Sequence, residues 1–354
     1  MARFTETVLV TGLNATDNPG PGVAVAQSLR DDPDFGGRII GLAYDMLDPG
    51  HFLPDLFDAS YLIPYPSGGR EALFDRLAYI QEREHAGVLL PNLDSELPAL
   101  MGQEAALGAL GLRTFLPSRA QFDQRNKDRL GELRDKFGIP VPRSVNLVEV
   151  EGVYALHKLF PFPMVIKSPF YGATIVHNTD EAVHAFWSAA AQWGYPVIAQ
   201  AYVEGEEVNV TALGDGRGGM VGAVAMKKML LTDKGKGWAG VTIRDRGLLS
   251  LSEELLRVLS WRGPCEIEVR RDRQGAFHLL EINPRMPAWV DLCFGAGQNI
   301  PLATARLAAG EAVTSLPDYR VGAAFVRVST NTLLTIEELE TLSSAGERHG
   351  RRTS

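Results

Sequence analysis

Cysteine is nearly absent. Cys265 and Cys293 are the two in a chain of 354 residues, which excludes a disulfide-stapled scaffold and fits a reducing, cytoplasmic compartment. No apolar run approaches the roughly 18–20 residues that cross a bilayer, so no membrane partner is expected. Arg3 and Glu6 precede the first short apolar segment and no cleavage signature follows, so no signal peptide is read. Positive charge is also in deficit, with 35 Lys+Arg against 43 Asp+Glu, a net charge of −8 and a pI near 5.5. A net-anionic chain makes a poor nucleic-acid coat, because phosphate backbones need a cationic surface. A local basic pocket for one nucleotide stays open. Two glycine signatures are missing as well. The Gly12–Gly22 loop follows an apolar run, but Asn14 and Asp17 stand where G-x-G-x-x-G needs glycine, and no G-x-x-x-x-G-K-[ST] occurs.

What is present is an ordinary folded composition, 45% hydrophobic and 22% charged. The length gives a prior of about two to three domains. Thr7–Thr11, Arg38–Leu42, Ala59–Ile63 and Gly87–Pro91 read as strands alternating with helical patterns such as Val23–Arg30 and Arg70–Glu84. That alternation predicts an α/β domain with a parallel sheet. From about residue 116 the pattern becomes α+β. A helix over Asn126–Phe137 stops at Gly138-Ile-Pro-Val-Pro, and later strands are coupled through turns at Gly214–Gly219 and Asp272–Gly275. The charged, small-residue stretch from 331 to 354 reads as a mobile tail.

The most informative segment is Phe277-His-Leu-Leu-Glu-Ile-Asn-Pro-Arg-Met286. Strand alternation puts Glu281, Asn283 and Arg285 on one face. Pairing with the strand Cys265–Val269 would bring Glu268 beside Glu281. Two carboxylates and an amide oxygen make a hard-oxygen site of the kind Mg²⁺ uses beside phosphates. Like charges side by side on a sheet also need a compensating cation. The bland alternative is a solvated strand with Arg285 as a salt-bridge partner. Upstream, Lys167 ends an apolar strand and enters a loop with one glycine, positioned for a phosphate or else as an edge lysine covering apolar surface. Val197–Glu207 is an apolar strand breaking into an acidic turn, which suits an adenine ring followed by a ribose.

In this order the motifs resemble the ATP-grasp superfamily, specifically its carboxylate–amine ligases, the group of D-alanine–D-alanine ligase, biotin carboxylase and carbamoyl-phosphate synthetase. The resemblance implies an ATP-grasp fold behind an N-terminal Rossmann-like domain. The implied division is 1–115, then 116–330, with a lid subdomain at 145–205 and a catalytic subdomain at 206–330. It further implies ATP and Mg²⁺ (or Mn²⁺) as cofactors. By the same resemblance Lys127 and Lys167 meet phosphates, Gln200, Ala201, Tyr202 and Val203 meet adenine, and Glu207 meets the ribose. Glu268, Glu281 and Asn283 match the metal ligands. Arg285 matches the arginine that contacts the acyl-phosphate, and Lys227 or Lys228 the basic residue near the γ-phosphate. The loop Ser168–Val176 departs from the family in being poor in glycine.

The implied reaction activates a carboxylate as an acyl-phosphate and joins it to an amine, releasing ADP. Asp94 and Glu96 are candidates for a substrate ammonium, and Lys236 and Arg244 for a carboxylate, which points to amino acids or short peptides. Leu/Ala-rich helices in the first domain would also support a homodimer. A carbamoyl-phosphate-type or kinase-like phosphotransferase is the main competitor. A nicotinamide oxidoreductase rests on the first domain alone, and a non-catalytic nucleotide- or peptide-binding module is disfavoured by Glu281, Asn283 and Arg285 together.

Overall fold

The computed structural model describes residues 2–15, 19–170, 172–232, 235 and 237–349. The chain divides into two units, each discontinuous in sequence. The first takes in Met1–Arg119, Asn209–Glu266 and Asn283–Ser354, and the second Ala120–Val208 and Ile267–Ile282. The contiguous division expected at residue 115 follows sequence order, whereas these units do not. Strand pairing joins segments far apart in the chain, and order along the sequence keeps no record of that.

In the first unit the four apolar runs become β1 (Val8–Thr11), β2 (Ile39–Ala43), β3 (Ala59–Leu62) and β4 (Val88–Leu90). They pair in parallel in the order β3-β2-β1-β4, with Leu9 opposite both Ile40 and Leu89. Val8, Leu9 and Val10 are fully buried, as a central parallel strand covered on both faces requires. The Gly12–Gly22 loop closes a strand against a helix. A Cβ on Gly22 would stand 2.2 Å from the Thr11 carbonyl oxygen, so only glycine fits there. Residues Thr16–Asn18 of that loop lie outside the described residues.

The second unit holds an antiparallel sheet of β5 (Ser144–Leu147), β6 (Met164–Lys167), β7 (Ala173–Val176) and β8 (Val197–Ala201), in the order β5-β8-β6-β7. The helix Thr179–Trp193, capped by Asn178, packs Phe186 against Met164, Val197 and Ala199. Of the glycine-poor segment Ser168–Val176, expected as a loop, Ala173–Val176 forms β7, which pairs with β6 from Lys167 opposite Ala173, and Tyr171 lies outside the described residues.

A third sheet is built from β9 (Gly205–Asp215), β10 (Met220–Leu231), β11 (Gly237–Ile243), β12 (Arg262–Asp272), β13 (Phe277–Asn283) and β14 (Ala324–Val326). Its order is β13-β12-β9-β10-β11-β14, and the boundary between the units falls within β9, β12 and β13. Both expected turns form. Asp215 Oδ1 accepts from the amides of Arg217 and Gly219, and Asp272 Oδ1 from those of Gln274 and Ala276. No helix among the described residues is long and apolar enough to cross a membrane.

The segment expected to be a mobile tail is ordered secondary structure as far as His349. Thr335 and Glu338 form a reciprocal capping box that opens the helix Ile336–Ala345. Gly346 ends that helix in the left-handed region, and β15 (Glu347–His349) pairs antiparallel with β3. The Gly346 carbonyl accepts from Leu62 N and Arg76 Nη2, and Arg348 donates to the His51 carbonyl. These bonds cover the open edge of the parallel sheet. The driving apolar anchor is Leu342, 1% exposed. Leu342→Ala is therefore expected to destabilise the chain by about 2–4 kcal/mol in a denaturant titration. A solvated tail would give no shift at all.

Candidate active site

In the second unit, β6 delivers Lys167 from an apolar strand to a buried position, 7% exposed. Its Nζ donates to Gln200 Oε1 on the neighbouring β8 at 3.1 Å. Lys127 enters from the turn that precedes the helix Leu130–Phe137, four residues later than the expected start of that helix. Its ammonium donates to the Phe170 carbonyl at 2.9 Å and pairs with Glu281 Oε2 at 3.2 Å. Burial brings the Lys167 pKa down to about 8. The neighbouring charge of Lys127 adds to this, and Glu281 works against it. Two buried ammonium groups around one carboxylate leave a local excess of positive charge. Such a cluster is electrostatically matched to a polyanion such as a phosphate chain.

Further along the same unit, Arg270 gathers the residues expected at the nucleoside. Its guanidinium lies 5.7 Å from the Tyr202 ring centroid, donates to the Val203 carbonyl at 3.4 Å and pairs with Glu207 at 3.5 Å. The Ala201 amide is taken by the Arg143 carbonyl at 2.8 Å, and Gln200 contributes its side chain to Lys167. Glu268 is half-buried on β12. Alternation puts it on one strand face with Glu266 and Arg270.

In the first unit, the row is built by neighbouring strands. Asn209 on β9, Glu266 on β12 and Asn283 at the end of β13 are all buried. Glu266 Oε1 accepts from Asn209 Nδ2 at 2.9 Å and from Trp289 Nε1 at 2.8 Å. Its Oε2 accepts from Asn283 Nδ2 at 3.2 Å and pairs with Arg285 Nη1 at 3.5 Å. Burial opposes ionisation of Glu266. Arg285, then Lys228, and the Trp289 and Asn209 donors outweigh it and hold the group below the usual carboxylate range. Lys228 on β10 is one of the cations acting on Glu266. Arg285 does not continue the strand as expected. The strand stops at Asn283, and a tight turn, with Arg285 N donating to Asn283 O at 2.8 Å, folds the arginine back onto Glu266. Its Nε also lies 3.8 Å from Asp94 Oδ2.

The expected acceptor residues separate. Asp94 stays beside Arg285, with its Oδ1 buried and lacking a hydrogen-bond partner among the described residues. Glu96 is a structural residue instead, 1% exposed. It accepts from the Thr11 hydroxyl, Tyr44 OH at 2.5 Å, Asn92 N at 2.6 Å and Leu93 N at 2.8 Å. With these acceptor positions used it ties the ends of β1, β2 and β4 together. Arg244 likewise binds the chain: it donates to the Tyr319 carbonyl at 2.8 Å, stacks over that ring and pairs with Asp318 at 3.5 Å. Lys236 lies outside the described residues.

Two residues escaped the sequence reading: Glu266 and Arg270. The Cys-Glu-Ile-Glu spacing did show that Glu266 shares a face with Glu268, but pairing across β9 and β13 was needed to tell their roles apart. Among the described residues no three His, Cys, Asp or Glu side chains gather as a metal cage. Of the ligands that the resemblance implies for a divalent cation, the carboxylates Glu268 and Glu281 lie in the second unit and the amide Asn283 in the first; two carboxylates and an amide oxygen are donor types that Mg²⁺ accepts. Because Glu266 accepts from Asn283 Nδ2, the amide turns its nitrogen toward Glu266 and its oxygen away.

Comparison with known proteins adds four findings. A family model described as ATP-grasp in the biosynthetic pathway with Ter operon matches residues 195–331. The chain is 28% identical to a D-alanine–D-alanine ligase of Chromohalobacter salexigens, over 70% of this chain and 82% of that protein. Its fold is similar to a biotin carboxylase from Campylobacter jejuni solved with a β,γ-ATP analogue (TM-score 0.67, 17% identity, 90% of this chain and 74% of that one). It is also similar to an L-amino acid ligase from Bacillus licheniformis (TM-score 0.63, 14% identity, 87% and 75%). Residues 195–331 thus match an ATP-grasp model, and by sequence and fold the chain is similar to proteins of the ATP-grasp superfamily.

Proposed function

We propose that this protein is an ATP-dependent, ADP-forming ligase that joins a carboxylate to an amine, with amino acids or short peptides as substrates. The carrying observation is the buried pair Lys127 and Lys167 with one carboxylate, Glu281, as counter-charge among the described residues. A cluster that retains excess positive charge out of water is stabilised when a polyanion arrives. Lys127, Lys167 and Lys228 would neutralise the phosphates, Gln200–Val203 receive the adenine and Glu207 the ribose. Glu268, Glu281 and Asn283 would hold Mg²⁺ or Mn²⁺, which when bound neutralises charge on the β- and γ-phosphates.

The chemistry needs no protein nucleophile. A carboxylate oxygen of the substrate attacks the γ-phosphorus and ADP leaves. The amine nitrogen then attacks the acyl carbon, phosphate departs and the nitrogen loses a proton. Arg285 would stabilise charge on the acyl-phosphate, and Asp94, with its unpartnered buried oxygen, would receive the substrate ammonium.

A pairwise screen of amino acids and dipeptides with Mg²⁺-ATP tests this. ADP release is expected to rise with one carboxylate alone and further with one amine, with an amide product by mass spectrometry. A phosphorylated product that persists in the presence of every amine would make the protein a phosphotransferase. ADP release unaffected by any pair would end the ligase reading.

A further inference from the structure

Glu266 is the most enclosed carboxylate of the polar row, and neither the family motif nor its relatives gives it a role in the reading above. It has 8% of its side chain exposed. Its two oxygens take four donors, so it has little capacity left for a cation or a substrate. All four donors matter to the neighbourhood: Asn209 and Trp289 grip Oε1, while Asn283 and Arg285 lie on Oε2. The first pair fixes the carboxylate in the sheet. The second pair is what the fixed carboxylate can then orient. It is also the anion that lies near both Lys228 and Arg285, two cations that would otherwise repel across the row.

We propose that Glu266 is a positioning residue. It fixes the amide of Asn283 with the oxygen outward and holds the Arg285 guanidinium in place before any anion binds. This rests on the ATP-dependent reading of Asn283 and Arg285, and adds the group that makes their geometry independent of ligand. A glutamine at 266 keeps the Oε1 acceptor for Asn209 and Trp289. It presents an NH₂ where Oε2 stood, facing Asn283 Nδ2 and Arg285 Nη1 donor to donor. The Asn283 amide then turns over, and Arg285 loses one of its charged partners, Asp94 remaining 3.8 Å away.

The test is a set of calorimetric titrations on the whole chain, using ADP without metal, ADP with Mg²⁺, and inorganic phosphate added to the Mg²⁺-ADP complex. For Glu266→Gln, affinity for metal-free ADP is expected to stay within about twofold, because it rests on the lysine cluster. The gain from Mg²⁺ and the affinity for phosphate are each expected to fall about tenfold or more, as partners of a metal or anion ligand commonly produce. In a Glu266→Gln/Arg285→Ala double variant the phosphate losses should not add, since both changes remove one interaction. Glu266→Asp keeps the charge but draws it back by one methylene, and should lose several-fold of the same two quantities. It also serves if the glutamine variant does not fold. Unchanged Mg²⁺ gain and phosphate affinity in these variants would overturn the proposal, as would an equal loss of metal-free ADP affinity or fully additive losses with Arg285→Ala. Wild-type protein that binds no ADP in any form would instead refute the ATP-dependent reading itself.

Discussion

Glu281→Ala is expected to lower Mg²⁺-dependent ATP turnover by on the order of 10³-fold or more, as removal of a ligand from a phosphate-bridging cation does. That is about 4 kcal/mol of transition-state stabilisation, at about 1.4 kcal/mol per tenfold. Two losses combine. In the proposed function a carboxylate donor to the divalent cation would disappear, and Lys127 loses the partner that stands 3.2 Å away. Without that carboxylate, Lys127 and Lys167 face each other less compensated, and the depression of the Lys167 pKa deepens, because Glu281 is the group that opposes it. The fold itself should persist, since the Glu281 side chain is one-quarter exposed. Glu281→Gln separates the two effects by keeping the shape and one oxygen while removing the charge. Steady-state ADP release decides the matter, and near-normal release by the alanine variant with Mg²⁺ would remove Glu281 from the metal set.

Nucleotide affinity is expected to fall as the pH rises above about 8, and Lys167 is the reason. Its pKa in the folded chain is about 8, against the 10.5 of an ordinary lysine. Below pH 8 both folded and unfolded chains carry the proton, so the folded state bears the full cost of a buried charge. Between about 8 and 10.5 the unfolded chain binds the proton and the folded chain has shed it. Stability therefore rises with pH across that window, with the same sign as for a carboxylate whose folded pKa is depressed. A bound phosphate chain favours the charged form, so binding near pH 8–9 takes up protons, up to about one per site. Calorimetry with ADP in two buffers of different ionisation heat measures that uptake. Lys167→Arg should abolish the uptake, because a guanidinium does not titrate there. Lys167→Met should weaken ADP binding roughly 10- to 100-fold through loss of a charged donor. Proton uptake unchanged in the arginine variant would assign the titration to another group.

Several parts of this picture were readable from residue order alone. Apolar runs such as TVLVT and FPMVIK ending in a turn or a lysine are strands because each must be buried on both faces or end at water. The i, i+2 rule put Glu281 and Asn283 on one face of a strand, and the Asp272–Gly275 turn brought the partner strand back. The capping box Thr335-Ile-Glu-Glu338 was equally legible, and read as a helix start it contradicts a mobile tail. Arg285 was legible as a residue of the site but not in its geometry, since a tight turn rather than strand extension carries it to Glu266.

Local pattern is enough for strands, turns and caps because these depend on neighbours along the chain, through periodicity and short hydrogen bonds. The identity of partners across the sheets depends on register between strands that can be almost three hundred residues apart, as His349 and Ala59 are, and no local rule carries that. Tertiary structure therefore decided that Glu96 ties three strand ends together, that Arg244 binds the Tyr319 segment, and that Glu266 rather than solvent meets Asn283 and Arg285. A buried charge finds its partners in three dimensions, where desolvation makes an unpaired one too costly to keep.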